Sequence, residues 1–448
     1  MGKLFGTDGV RGIANVDLTA ELAYRLGRIG AYILTKGKKG SKIIVGMDTR
    51  KSKDMLGAAL TAGICSVGVD VLNVGVVPTP AVSYLTRLHE ADAGVVISAS
   101  HNPVDYNGIK FFNSKGYKLN DDIENEIEEY ILNDKDVEYR PLGEDIGEVN
   151  IIKDAVLEYT NYLKGLIDVD FKGLKIAVDC ANGASFEAAP KLLKELGADI
   201  KVFYNTPNGI NINFNCGSTH PEILQKLVVE NSCDVGLAFD GDADRLIAVD
   251  EKGNIIDGDY VLAICSTHLK EKGLLKNDTV VGTIMTNMGL DKYCETQGIK
   301  VVKTKVGDRY VLEEMLEKGY VLGGEQSGHI IFLDYNTTGD GLLTALQIIS
   351  VMKAKNKPLS ELAAVLKRYP QILVNAEVNK DKKTKYLKDD IIMSEIQKIE
   401  EEFHGEGRVI IRPSGTEALV RVMIEGQDEK KISQKANYLA DLIKQRLK

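Results

Sequence analysis

The sequence predicts an α/β protein of three tandem βαβαβ units followed by a smaller α+β domain, and three observations carry that prediction. Short apolar runs of strand length alternate with stretches of helical period. The alternation occurs three times with the same order of elements, a repeat at the scale of whole domains. Beyond about Pro370 it gives way to alternating strands and one long amphipathic helix.

In the first unit, residues 42–47 (KIIVGM) read as a buried strand, 52–67 as helix, 69–74 as strand, 80–89 as helix and 93–97 as strand. The second unit runs through strand 174–178, helix 185–196, strand 200–204, helix 221–230 and strand 235–239. The third has strand 279–285, helix 289–296, strand 300–303, helix 309–317 and strand 320–322. In the last region, strands 409–411 and 419–424 precede a helix over 430–447. No low-complexity or Pro-rich linker interrupts the chain, so domains are expected at 1–152, 153–252, 253–369 and 370–448 with short joints. Four domains also suit 448 residues at roughly 100–200 residues each.

Composition narrows the function. Lys and Arg number 56 against 65 Asp and Glu, a net charge of -9, which argues against a general binder of nucleic acid or membrane surfaces. An anionic substrate would need a local basic pocket. The cysteines (Cys65, Cys180, Cys216, Cys233, Cys265, Cys294) form no CxxC pair, so neither a zinc site nor a disulfide framework is indicated. The opening MGKLFGTDGV lacks the apolar core of a signal peptide, and no apolar run reaches membrane-spanning length. A soluble protein of the reducing cytoplasm is expected.

Ligands of open α/β sheets gather beyond the carboxyl ends of the strands. There the three units carry Ser98-Ala-Ser-His-Asn-Pro103, Asp240-Gly-Asp-Ala-Asp-Arg245 and Gly323-Gly-Glu-Gln-Ser-Gly-His329. Each stretch is rich in groups that do chemistry, and each occupies the equivalent place in its repeat. One cleft assembled from three domains would explain the coincidence.

Asp240, Asp242 and Asp244 alternate directly after an apolar strand, and carboxylates so close repel one another unless a cation intervenes. Oxygen ligands in this number suit Mg²⁺ with coordination positions left for a phosphate oxygen. A calcium loop of EF-hand type is the structural alternative, with Glu251 at the twelfth position, but Arg245 stands where that loop needs glycine and strands flank it. A phosphatase using Asp240 as nucleophile is a second alternative.

Ser100 sits at a strand end beside His101 and Asn102, and Pro103 forces an extended turn that can present a nucleophile. Taken alone, Ser98 and Ser100 could merely bond the backbone of an ordinary loop. Their place beside the aspartates favours the nucleophile. Lys110 follows closely enough to fold over the same pocket, to pair with phosphate or move a proton, although a lone lysine is usually a solvated charge. Glu325, Ser327 and His329 suit sugar hydroxyls or a plain hydrogen-bonded turn. Arg412, Ser414, Gly415 and Thr416 make a plausible phosphate clamp or a simple Pro-Ser-Gly turn. Arg11, in GTDGVRG, could reach the cleft or belong to a flexible end.

Together, the loops 98–103, 240–245, 324–329 and 412–417 resemble, in order and spacing, the four signature loops of the α-D-phosphohexomutase superfamily, over nearly the whole chain. The resemblance implies mixed sheets around a central cleft and a phosphoryl shift between the two ends of a sugar phosphate. It implies that Ser100 is phosphorylated, and that Asp240, Asp242 and Asp244 hold one Mg²⁺ together with that phosphoserine. Arg11, Lys110 and Arg245 would surround the phosphate, with Lys110 and His329 as proton-transfer candidates and His101 adjoining the nucleophile. Glu325 and Ser327 would contact the sugar, and Arg412, Ser414, Gly415 and Thr416 the nonreacting phosphate.

GTDGVRG, ISASHNP and GEQSGH, with Gln326, are most similar to the branch that interconverts glucosamine 6-phosphate and glucosamine 1-phosphate, which feeds UDP-N-acetylglucosamine synthesis. Branches acting on mannose or glucose phosphates share much of the pattern. A hexosamine phosphate substrate, a hexose or hexosamine 1,6-bisphosphate activator and a homodimer are further implications. A sugar-phosphate phosphatase and a noncatalytic sensor remain the competing classes.

Overall fold

Strand order is the same in all three α/β repeats. In the computed structural model, which describes residues 4–6, 8–414 and 418–448, each repeat places its first parallel strand between the third and the second. In the first repeat Lys42–Met47 pairs in parallel with Asp70–Val76 on one side and Ala93–Ile97 on the other. In the second, Lys175–Asp179 lies between Asp199–Phe203 and Val235–Phe239. In the third, Thr279–Thr283 lies between Lys300–Thr304 and Leu322–Gly324. An antiparallel strand then returns beside each third strand: Tyr106–Asn113, Leu246–Asp250 and Ile330–Phe332. The chemistry-bearing loop of each repeat is therefore the connection of one such hairpin, next to the point where the strand order reverses.

Burial explains why these runs are strands. Ala93–Ile97 and Val235–Phe239 are buried at every position, as parallel strands covered on both faces must be, so their sequences are continuous apolar runs. The expected strand positions agree to within a few residues; the third strand of the last repeat starts at Leu322, later than its apolar run.

Two compact units divide the chain: Met1–Thr283 with Ile299–Val365, and Ile284–Gly298 with Leu366–Lys448. The first holds all three repeat sheets. It also contains a helix the sequence pattern had not singled out, Ala20–Thr35, capped by Thr19 and packed on Lys53–Cys65. That packing depends on two glycines: a Cβ at Gly27 would stand 2.3 Å from Leu60 O, and one at Gly63 2.1 Å from Tyr24 O.

In the second unit, Gln371–Glu377, Leu419–Gly426 and Gly407–Pro413 form an antiparallel sheet with the middle strand central. Helices Asp390–Glu402 and Glu429–Leu447 bury Ile392, Ile399, Leu439 and Ile443 with Val420, Val422 and Ile424. The helix Met288–Thr296 belongs to this unit: buried Glu425 accepts from Met288 N at 2.9 Å and from Arg408 Nε at 2.6 Å. Among the described residues, no helix is long and apolar enough to cross a membrane.

Candidate active site

Loops at strand ends of the first and second repeats meet at Ser100, and the third repeat's His329 reaches Asp244 of the same aspartate loop. Ser100 Oγ donates to Asp240 Oδ2 at 2.6 Å and lies 3.2 Å from His101 Nδ1. Ser100 is buried, and its φ of 51° falls in the left-handed region that few non-glycine residues occupy. Burial, then Arg245 and Arg11, press the His101 imidazole down to about 4, so it is neutral near pH 7.

Asp240, Asp242 and Asp244 are all buried, and one carboxylate oxygen of each lies within 4.8 Å of the others. Burial, then the charges of Asp244 and Asp242, push Asp240 well above the usual carboxylate range. Burial also opposes ionisation of Asp244, but Lys110, His329 and Arg245 outweigh it and hold that group low. Asp242 Oδ2 accepts from Lys110 Nζ at 2.9 Å and from Thr79 Oγ1 at 2.7 Å. Asp242 Oδ1 and Asp244 Oδ1 are buried with no hydrogen-bond donor. Orphaned carboxylate oxygens in a tight acidic trio fit a hard divalent cation.

Arg11 lies within a strand, not a flexible end. Gly9–Ile13 pairs with Tyr106–Asn113, setting Arg11 opposite Gly108 and close to Lys110. Arg11 Nη2 donates to Asp8 Oδ2 at 2.9 Å and Nη1 to Asn102 Oδ1 at 3.3 Å. Lys110 Nζ sits 2.8 Å from Asp8 Oδ2 and 3.8 Å from Asp244 Oδ2. Burial disfavours the ammonium, yet Asp242, Asp8 and Asp244 outweigh it and raise its pKa, so the Lys110 amine is held charged. Arg245 donates its backbone N–H to Asp240 Oδ1 at 3.2 Å, and its Nε is 3.8 Å from Asp244 Oδ1.

The third loop is split in character. His329 is buried, with Nδ1 3.6 Å from Asp244 Oδ2 and Nε2 3.4 Å from Asp308 Oδ2. Burial lowers its pKa, but Asp244 and Asp308 outweigh that and raise it. Gly339 N donates to His329 Nε2 at 3.1 Å, and a Cβ at Gly339 would lie 2.4 Å from the ring. Glu325 is partly exposed, its Oε1 accepting from Gly307 N at 3.0 Å, and Ser327 is exposed. The plain turn is present as well, since Gly328 N donates to Glu325 O at 3.0 Å.

Arg412 and Ser414 belong to the second unit, where Arg412 pairs across the sheet with Arg421 and Ser414 N donates to Leu419 O at 2.9 Å. Gly415 and Thr416 lie outside the described residues.

Several site residues had not been singled out. Asp8 gathers Arg11, Lys110 and Lys118, and Lys118 in turn pairs with Asp308. Asp8 stands in the same GTDGVRG segment as Arg11, and Asp308 follows Gly307 just beyond a strand end, so both had a positional signal. Thr79 likewise follows the end of a second strand, Asp70–Val76, but only the fold brings it to Asp242.

Family models cover almost the whole chain. The phosphoglucomutase/phosphomannomutase alpha/beta/alpha domain I matches residues 2–138, domain II 157–253, domain III 257–369 and the C-terminal domain 373–442. The chain belongs to the phosphoglucomutase/phosphomannomutase family.

The phosphoglucosamine mutase of Alkaliphilus oremlandii is 62% identical over 448 residues, covering 100% of both chains. A phosphoglucomutase/phosphomannomutase family protein of Burkholderia thailandensis shares the fold with a TM-score of 0.81 at 24% identity, covering 99% of this chain and 98% of its own. An Aspergillus fumigatus N-acetylphosphoglucosamine mutase, solved with GlcNAc-6P and magnesium, aligns with a TM-score of 0.71 at 18% identity over 99% of this chain and 96% of its own. Within the phosphoglucomutase/phosphomannomutase layout, Ser100 falls in domain I, the aspartates in domain II, Glu325 to His329 in domain III and Arg412 in the C-terminal domain.

Proposed function

We propose that this chain is an isomerase that interconverts glucosamine 6-phosphate and glucosamine 1-phosphate, with Ser100 giving up and taking back a phosphoryl group. One observation carries the chemistry: a buried serine hydroxyl 2.6 Å from Asp240, within a carboxylate trio that Lys110 and Arg245 partly neutralise. The amino-sugar substrate follows from relatives 62% and 61% identical over the full length that bear the name phosphoglucosamine mutase.

Phosphorylated Ser100 presents phosphorus to the free hydroxyl of the bound monophosphate. The P–Oγ bond breaks, a bond from phosphorus to the sugar oxygen forms, and the hydroxyl proton leaves to a neighbouring base, for which His329 is the candidate. The product is a 1,6-bisphosphate. After the sugar turns end for end, its other phosphate returns to Ser100 Oγ and the freed sugar oxygen takes a proton. Asp240, Asp242 and Asp244, with an oxygen of the phosphoserine, would hold Mg²⁺, which when bound offsets charge on the transferring oxygens. Lys110, Arg11 and Arg245 supply fixed positive charge around the same oxygens. Glu325 and Ser327 grip sugar hydroxyls in either orientation, while Arg412, Ser414, Gly415 and Thr416 take the phosphate that is not reacting.

Added 1,6-bisphosphate should activate enzyme whose serine has lost its phosphate. A homodimer is expected and is checked by sedimentation. The free cysteines support a reducing, cytoplasmic setting, which localisation of the tagged protein checks.

The test is ³¹P NMR of the protein with Mg²⁺, a trace of the matching 1,6-bisphosphate and glucosamine, glucose or mannose 6-phosphate in turn. Fastest isomerisation of the glucosamine pair supports the reading. Preference for mannose or glucose moves the substrate, and free phosphate in place of an isomer overturns the mutase.

A further inference from the structure

The turn that carries Ser100 is held from behind by residues the reaction itself does not use. Asp48 and Arg50 follow the first strand of the first repeat, so they emerge beside the serine loop at the strand-order reversal. Both are wholly buried and ion-paired to each other. Ser100 N donates to Ser98 Oγ at 2.9 Å, and Ser98 Oγ donates to Asp48 Oδ2 at 2.7 Å. From the other side, Arg50 Nη2 donates to Ser100 O at 3.2 Å and Asn102 O at 2.5 Å. Asn213, from the second repeat, donates Nδ2 to the same two carbonyls at 2.8 and 3.2 Å. A Cβ at Gly241, inside the aspartate loop, would lie 2.5 Å from Ser100 O, so the two loops pack backbone to backbone.

We propose that Arg50 and Asn213 are positioning residues that clamp the carbonyls of Ser100 and Asn102, with Asp48 anchoring Arg50 and Ser98 behind them, and so hold the nucleophile in its left-handed conformation facing Asp240. The left-handed region is unfavourable for serine, and such a conformation persists only where the surroundings over-determine it. Four donations onto two carbonyls from two different repeats do so here. The clamp has a consequence for the chemistry, because Oγ must leave phosphorus in one half-reaction and attack it in the other. A single fixed position serves both, and a displacement of about 1 Å can cost on the order of 10²-fold in rate.

The inference rests on the phosphoserine reading, and its test separates the two. Asn213→Ala removes one clamp and leaves the buried ion pair intact; Arg50→Lys keeps the charge but loses the fork that reaches both carbonyls. For each purified variant, folding is checked by circular dichroism, steady-state kcat and KM are measured, and phosphorylation of Ser100 by 1,6-bisphosphate is followed by intact-mass spectrometry. With Asn213→Ala folded, the expected result is a KM within about twofold of wild type, with kcat and the rate of Ser100 phosphorylation falling together, on the order of 10–10²-fold. A wild-type phosphorylation rate and kcat in folded Asn213→Ala overturn the clamp while leaving the phosphoserine in place. Absence of phosphate on Ser100 in the wild-type protein overturns the phosphoserine reading, and the clamp with it. Should Arg50→Lys not fold, Asn213→Ala decides alone.

Discussion

The serine loop and the third loop occupy the same place in their repeats, yet the functional side chains they present differ in how firmly they are held: Ser100 is buried, whereas Glu325 and Ser327 are not. Around Ser100, the side chains of Ser98, Asp48 and Arg50 are buried and bonded to one another or to the turn's backbone. Beyond the third repeat's strand Leu322–Gly324, Glu325 and Gln326 are partly exposed and Ser327 is exposed, while Gly328 and His329 are buried. The difference suits the proposed chemistry. A transferring phosphorus needs one fixed oxygen, whereas a sugar that must be held in two orientations needs groups that can adjust.

The strongest test of the fixed side is removal of its oxygen. Ser100→Ala should lower kcat by about 10⁴-fold or more, with KM little changed, measured by coupled assay at saturating substrate. Activity near wild type would break the comparison at its root.

The buried end of the third loop should behave like the serine loop. Gly339→Ala drives a methyl into the His329 ring, so kcat should fall by roughly 10–10²-fold and the melting temperature should drop by several degrees. Replacing His329 itself by Gln in the same background should then add little, because the two changes act on one group.

The exposed end should show up in binding. Glu325→Gln is expected to raise KM about tenfold, the scale of one weakened hydrogen bond to a charged group, and Ser327→Ala by only a few-fold. An effect on kcat as large as that of Gly339→Ala would show the third loop to be as rigid as the serine loop.

The smallest effect belongs to the second repeat, where Asp179 ends the first strand. It accepts from Ala181 N and Gly217 N, each at 2.8 Å, yet burial pushes its pKa up to about 6. Its folded pKa lies above the unfolded value of about 4, so the native state binds the proton more tightly. The stability it contributes is greatest below pH 4 and is lost as pH rises through about 6, at a slope of at most about 1.4 kcal/mol per pH unit. Relative to Asp179→Asn, whose side chain cannot ionise, the wild-type urea midpoint should therefore fall as pH rises from 4 to 7.

Much of this was legible in the sequence, and what was missed follows a pattern. Buried parallel strands announce themselves as apolar runs, so Lys42–Met47, Ala93–Ile97 and Val235–Phe239 appear with their bounds unchanged. Those strand ends in turn located Ser100, the three aspartates and Glu325 to His329. The helix Ala20–Thr35 was not marked although Leu22, Leu26, Ile29 and Ile33 recur at helical spacing, because it precedes the first strand from which the repeats were counted. Lys118, Thr79 and Asn213 are distant in sequence from the site groups they touch, and only the folded arrangement gives them those partners. Asp48 and Arg50 stood in plain view after a strand, but at the end of the first strand of the repeat, and the reading had followed only the third.

The most direct test of the central claim is to load the protein with ³²P from a labelled 1,6-bisphosphate, map the label by proteolysis and mass spectrometry, and then add unlabelled glucosamine 6-phosphate. The account predicts one phosphate, on Ser100, that passes to the sugar as a labelled bisphosphate. Label on Asp240, or label released as inorganic phosphate, would contradict it.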